Sequence, residues 1–310
     1  MFLRRRSSQA TQPGPSSPSS GGAPEEPAVA PAVPVTLDPK GPLPDSVAIP
    51  TPSYAPMSVA VERLAFRPQE GEIDFYPGPM IGAEALGAKF AASGSHYIRA
   101  AYELMKRLSP DDYLRYLARY YETGLARFGE YWGYADIVTV LLGLSDELQP
   151  RHYLEIGVRR GRSACAVASR SPGVAMVLFD MWLKNYAGME NPGPELVRSE
   201  LRKVGYLGQI EFINGNSHET VPQYFRDQPD AAFDIITVDG DHTNIGAAQD
   251  LADVMPRLKI GGAIVFDDIC HPKHPGLRDV WRRLVEEDRR YSFYSFRSVG
   301  YGVGFAIRKY

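Results

Sequence analysis

The chain has 310 residues, 44% of them apolar and 23% charged, with a formal net charge of -3. That size and apolar content suffice for one large globular domain with additions. The charge excludes a general attraction to polyanions, so neither nucleic acid nor a membrane surface is an expected partner. The two cysteines, Cys165 and Cys270, exclude a disulfide framework. Both fall in predicted core elements and read as buried thiols of a reducing compartment. No apolar run approaches the ~20 residues of a membrane span. The basic start, Met1 to Arg6, has no apolar stretch behind it, so a cytoplasmic protein is expected.

Residues 1–56 hold 13 of the 26 prolines, with many Ser, Gly and Ala. Such a stretch buries too little surface to offset its backbone entropy, and a disordered tail is expected. Ile73 to Pro79 reads as an extended entry to the folded part. Residues 57–148 read as a helical cap or lid region. Ser109-Pro-Asp-Asp112 reads as a helix start, with Pro in the first turn and acids at the positive dipole end. Tyr113-Leu114, Tyr116-Leu117 and Tyr120-Tyr121 follow at helical spacing. A second helix runs through Ile137 to Leu142. The aromatic stripe packs on the main domain or covers a substrate. Tyr131-Trp132-Gly-Tyr134 is the segment best suited to the second role.

From residue 149 strand and helix alternate, which predicts parallel β-α-β units. Strands are expected at Tyr153–Ile156, Ala175–Phe179, Ile210–Ile213, Phe233–Val238 and Ala263–Phe266, the last entered through a Gly261-Gly262 turn. Helices are expected at Ser163–Ala168, Glu195–Val204, Ile245–Leu258 and Leu277–Glu287. The loop from Asn185 to Pro194 belongs to the acceptor side. Tyr291–Phe296 and Val303–Ile307 close the sheet, and the short Gly300-Tyr-Gly302 link predicts an antiparallel hairpin. The fold class is α/β: a Rossmann-like, doubly wound, mostly parallel seven-stranded sheet with an antiparallel last strand.

The first strand runs into Glu155-x-Gly157-x-x-x-Gly161. A turn of this kind needs Gly where φ is positive and where a ligand nears the backbone. The helix behind it offers unpaired N–H groups, so a nucleotide-like ligand is expected. A dinucleotide site wants G-x-G-x-x-G, and Arg159 stands where its second glycine belongs. The spacing instead resembles the first motif of class I S-adenosylmethionine-dependent methyltransferases.

Open parallel sheets bind ligands beyond the carboxyl ends of their strands. Polar residues stand at five such ends here: Glu155, Asp180, Asn214 to Ser217, Asp239, and Asp267-Asp268. Asp180 is an acid able to accept both hydroxyls of a ribose. Asp239-Gly-Asp241-His242 and Asp267-Asp268 place several carboxylates in one mouth, where they repel unless a cation joins them. Oxygen ligands favour a hard divalent ion such as Mg²⁺.

From Val238-Asp-Gly-Asp-His-Thr to Gly261-Gly-Ala-Ile-Val-Phe-Asp-Asp268, the chain resembles metal-dependent small-molecule O-methyltransferases of the macrocin and cephalosporin-hydroxylase-like type. The resemblance spans about 150–310 and implies an enzyme that methylates a hydroxyl of a sugar or natural product. It implies metal ligation by Asp239, Asp267 and Asp268. It implies cofactor contacts from Glu155, Gly157, Gly161, Asp180 and Asp239, with Asn216 and Ser217 at the adenine. His242, three residues after Asp239, is the candidate base, with His271 and His274 behind it. Asp241 serves the acceptor or the loop. Metal-free N-methylation of an amino sugar and a non-catalytic, cofactor-binding scaffold are the rival readings. A homo-oligomer is compatible with the helices ahead of the core.

Overall fold

A computed structural model describes residues 81–92, 94–185 and 191–310 of the chain. The tail over 1–56, the extended entry at Ile73 to Pro79 and residues 186–190 of the acceptor-side loop lie outside the described residues.

Among the described residues four α-helices come first: α1 (Ala83–Ala92), α2 (Gly94–Arg107), α3 (Asp112–Phe128) and α4 (Ile137–Leu148). Then β1 (His152–Ile156), α5 (Arg162–Arg170), β2 (Ala175–Asp180), α6 (Pro194–Lys203), β3 (Ile210–Asn214), α7 (Ser217–Asp227) and β4 (Phe233–Val238) alternate. The chain ends with α8 (Asn244–Val254), β5 (Leu258–Asp267), α9 (Leu277–Trp281), β6 (Tyr291–Phe296) and β7 (Val303–Arg308). The seven strands lie in the order β3-β2-β1-β4-β5-β7-β6. All neighbours through β5 are parallel, and β7 runs antiparallel to both β5 and β6. The chain winds outward from β1 to β3 and then returns to place β4 on the other side of β1. The switch point therefore lies between β1 and β4.

Alternation along the strands divides the core into two layers. Tyr153, Ile235, Val265 and Phe305 face one layer, with Leu141 and Leu144 of α4, Val167 of α5 and Leu201 of α6. Leu154, Ile236, Ile264 and Ala306 face the other, with Val221 and Phe225 of α7, Leu251 of α8 and Trp281 of α9. The leading helices share the first layer: Leu86, Phe90, Tyr97 and Leu117 are buried in it. Phe90 meets Phe305 of β7 with ring centroids 5.7 Å apart.

Several local expectations are corrected. The cap of α3 is Asp111, whose carboxylate accepts from the Leu114 N–H at 2.6 Å, so Pro110 precedes the helix. Gly261 and Gly262 lie within β5 as an irregularity against β4, not ahead of it. The helix after β4 stops at Val254, and α9 passes into a wider π turn at Arg282–Glu286. Cys165 is buried as expected, but Cys270 sits half-buried in the turn after β5. The sequence reading assigns no helix between Ser217 and Phe233, where the structure has α7 with Pro222 inside it. Pro222 removes the N–H that would bond the His218 carbonyl, and the Gln249 side-chain amide of α8 reaches that oxygen instead, at 3.4 Å.

Candidate active site

The carboxyl ends of β1, β2, β3, β4 and β5 open into a cleft of about 740 Å³. Gly157, Asp180, Asn216, Ser217, Asp239, Asp241, His242, Asp267, Asp268, His271 and His274 all line it. The turn after β1 sits hard against the end of β4. The Asp239 N–H donates to the Ile156 carbonyl at 2.9 Å. Gly157 has φ +92°, and a Cβ there would lie 1.9 Å from the Asp239 carbonyl oxygen. Gly161 has φ +72° and begins α5 without a side-chain cap.

Glu155 is completely buried and does not border the cleft. The Ser163 and Tyr153 hydroxyls bond it, which ties β1 to α5. Burial pushes its carboxyl up to about 8, against the partial relief of those two bonds. It is therefore protonated in the folded protein near neutral pH and ionised when unfolded above its ordinary value of 4.5. The folded state binds more protons between those limits, so this group's contribution to stability falls as pH rises from about 4.5 to 8. Glu155→Gln, an isostere of the neutral acid, should fold normally and flatten that decline in urea-denaturation series across the window. An unchanged slope would refute the assignment.

Asp180 Oδ2 accepts the Arg159 N–H and Oδ1 the Trp182 N–H, both at 2.6 Å, and Asn191 Nδ2 lies 3.2 Å from Oδ1. Oδ1 thus accepts twice, and Oδ2 retains a second lone-pair direction for a ligand. Asn216 caps α7, accepting from the His218 N–H at 3.2 Å.

The acids form the opposite wall. One ligand atom each from Asp239, His242 and Asp268 can lie within 4.8 Å of one another. His242 Nε2 lies 3.0 Å from Asp268 Oδ2 and 3.6 Å from Asp239 Oδ1. Its Nδ1 lies 3.1 Å from the Gly240 carbonyl, which only accepts, so Nδ1 carries a hydrogen, while Nε2 faces the acids. The bond to Asp268, with the charges of Asp268 and Asp267, raises the His242 pKa against the opposing effect of burial. Asp239 and Asp267 are held well above the usual carboxylate range, first by burial and then by the neighbouring acids. Asp267 lines the cleft beside this trio but lies outside the compact set of ligand atoms. Asp268 has φ +60°, a left-handed conformation that Asp tolerates better than most residues.

Mutually repelling carboxylates with one imidazole suit a divalent cation. Asp241 accepts the Thr243 N–H at 2.7 Å and shapes the loop. Rings lead outward from His242 through His274 to His271 and Tyr301, with centroids 5.1, 4.9 and 4.3 Å apart.

Sequence reasoning misses Asp136, Arg159 and Arg162 among the lining residues and leaves the tyrosines of α3 open between packing and cover. Asp136 caps α4 and accepts from the Tyr121 hydroxyl. Tyr113, Tyr116 and Tyr120 present one edge of α3 to the cleft, while Leu114, Leu117 and Tyr121 are buried. Trp132 stacks on Tyr134 at 5.2 Å, and Tyr134 lines the cleft, whereas Tyr131 is 96% exposed. Arg159 and Arg162 also line it. Their signal was the cluster of arginines inside the glycine turn.

This strand order, with its antiparallel β7 and glycine turn at the switch point, defines the class I methyltransferase fold. Residues 154–269 match the profile of a family described as a methyltransferase domain. Residues 154–269 thus form a methyltransferase domain. No curated protein sequence matches it. Among solved structures it is similar to CalS11, a calicheamicin methyltransferase, at 19% identity over 69% of this chain and 91% of that one, TM-score 0.43. PaMTH1 of Podospora anserina, bound to S-adenosylhomocysteine, shares 18% over 75% and 100%, TM-score 0.44. TomG, the O-methyltransferase of Streptomyces achromogenes involved in tomaymycin synthesis, shares 22% over 66% and 92%, TM-score 0.45. Among the described residues no helix is long and apolar enough to cross a membrane.

Proposed function

We propose that the protein transfers a methyl group from S-adenosylmethionine to a hydroxyl of a small polar acceptor, a sugar or natural product. The observation that carries this reading is the meeting of Asp239, His242 and Asp268 in the same cleft as Gly157 and Asp180. Asp180 holds the donor's ribose, Asn216 and Ser217 border its adenine, and the Gly157 to Gly161 turn admits its backbone-hugging part. Asp239, Asp267 and Asp268 hold a divalent cation, which when bound acidifies the acceptor hydroxyl and fixes its orientation. His242 takes the hydroxyl proton at Nε2, with Nδ1–H anchored on the Gly240 carbonyl. The tyrosines of α3 and Tyr134 form the acceptor wall, and the leading helices act as its cap. The donor supplies an electrophilic methyl, and the residues on both walls fix the two reactants at the reacting distance.

The test is methyl transfer to a panel of glycosides and phenolic natural products, with and without chelator. Turnover that chelator removes and Mg²⁺ or Mn²⁺ restores is expected. Full turnover in excess chelator would reject the metal. Transfer confined to amines would reject the hydroxyl.

A further inference from the structure

Beneath the acid loop lies a carboxylate that takes no part in the cleft. Asp250 of α8 is 1% exposed and does not line the site. A buried acid is costly unless its oxygens are used. The Ser217 hydroxyl bonds it, and His218 Nε2 lies 3.5 Å from its Oδ1. Its Oδ2 points under the loop from Asp239 to His242. That oxygen accepts the Asp241 N–H at 3.4 Å, and a Cβ on Gly240 would lie 2.9 Å from it. The loop backbone therefore rests on Asp250 with no room for a side chain between them.

One peptide group joins this oxygen to the reacting centre. The N–H of the Gly240–Asp241 peptide donates to Asp250, and the carbonyl of the same peptide faces the His242 Nδ1–H at 3.1 Å. The two ends belong to one flat, rigid unit and point in opposite directions. A negative charge at the N–H end polarises the unit and makes its carbonyl a stronger acceptor. It also resists the rotation that would carry the carbonyl off the imidazole. We propose that Asp250 is a positioning residue that orients the His242 ring through the Gly240–Asp241 peptide. The arrangement resembles a catalytic triad, in which a buried carboxylate fixes the tautomer and direction of a histidine, with a peptide group inserted between the two. The inference rests on the reading of His242 as the base and adds the group that holds its ring. Burial pushes the Asp250 carboxyl up to about 6, against the Ser217 hydroxyl, His218 and the Asp241 N–H. The folded state thus binds this proton more tightly than the unfolded one, and the group's contribution to stability falls as pH rises from 3.8 to about 6. Above that window Asp250 is an ion kept against burial, so its charge serves something other than stability.

The test is NMR of the full chain carrying isotope-labelled histidine, with no donor, acceptor or metal added. The His242 Nδ1 proton is assigned by its loss in His242→Gln. In Asp250→Asn, which keeps the shape and removes the charge, that proton should exchange with water about tenfold faster, the difference between a charge-supported bond and a neutral one. Asp250→Ala should speed the exchange further. Above the pH window given for Asp250, the melting temperature of Asp250→Asn should hold or rise. On any acceptor that the wild type methylates, kcat should fall about tenfold with the donor KM unchanged. An Nδ1 proton that exchanges at the wild-type rate in both variants overturns the proposal, as does one already too fast to observe in the wild type. A lowered melting temperature with unchanged kcat overturns it in favour of a purely structural acid. A wild-type chain that methylates no acceptor brings down the base role of His242, and the Nδ1 proton then decides on the positioning by itself.

Discussion

Asp268→Asn should cut methyl transfer by about a hundredfold or more while leaving the fold intact, given the usual worth of a charged group at a reacting centre. The substitution is close to isosteric, and Asn is as tolerant as Asp of the left-handed φ of +60°. What it removes is charge at the point where three acids meet. In the folded chain Asp268 bonds His242 Nε2 at 3.0 Å and raises the pKa of Asp239 and Asp267 by repulsion. Losing that repulsion favours the fold, so the melting temperature should hold or rise. Losing the carboxylate weakens any divalent cation, and a Mn²⁺ titration followed by electron paramagnetic resonance should show that loss without an acceptor. His242 also loses the partner that most raises its pKa, so its imidazole should titrate lower in the variant. A variant with wild-type turnover and wild-type Mn²⁺ binding would remove Asp268 from the proposed centre. A variant that unfolds would show that the acids carry structure instead.

The sheet was legible because each strand is a short apolar run closed by a polar residue, and its period of two survives in the two core layers. Five strand ends carried acids or amides, and the parallel topology gathered these ends in one cleft. Elements defined by long-range compensation were less legible. Helix α7 contains Pro222, and only Gln249, 27 residues after it, supplies the missing donor. Gly261 and Gly262 have the sequence of a turn, but they fall inside β5 where its register against β4 shifts, between Leu258 and Ala263. Glu155 marked the right turn for a different reason than its acidity. It is a buried, neutral brace between β1 and α5, while the residues of the turn that line the cleft include arginines. The tyrosines of α3 divide their work along the helix. Tyr121 is fully buried, whereas Tyr116 three positions from Tyr113 is 63% exposed at the cleft. Helical spacing alone does not say which edge faces a site.

Gly157→Ala should be the most disruptive single-methyl change in the chain. Two independent penalties fall on it. Its φ of +92° lies outside the usual range of any residue with a Cβ, at a cost of about 1–3 kcal/mol. The added carbon would also lie 1.9 Å from the Asp239 carbonyl oxygen and 2.4 Å from its carbonyl carbon. Backbone cannot rotate away as a flexible side chain can, so β1 and β4 must separate at the switch point. The N–H of Asp239 is bonded to the Ile156 carbonyl on one side of that contact, and the N–H of Gly157 to the Phe179 carbonyl on the other. Relief of the clash therefore stretches bonds between three strands at once. It also moves Asp239 relative to His242, which now lies 3.6 Å from it. The expected outcome is a chain that is either insoluble or folded with a melting temperature lower by many degrees, with donor binding lost in calorimetry. Gly161→Ala provides the contrast: its Cβ would meet a Val197 methyl at 2.7 Å, and a side chain can yield where a backbone carbonyl cannot. That variant should be the milder of the two. If Gly157→Ala proved the more stable, the close approach between the first glycine turn and the acid loop would not be the feature that joins the donor wall to the acid wall.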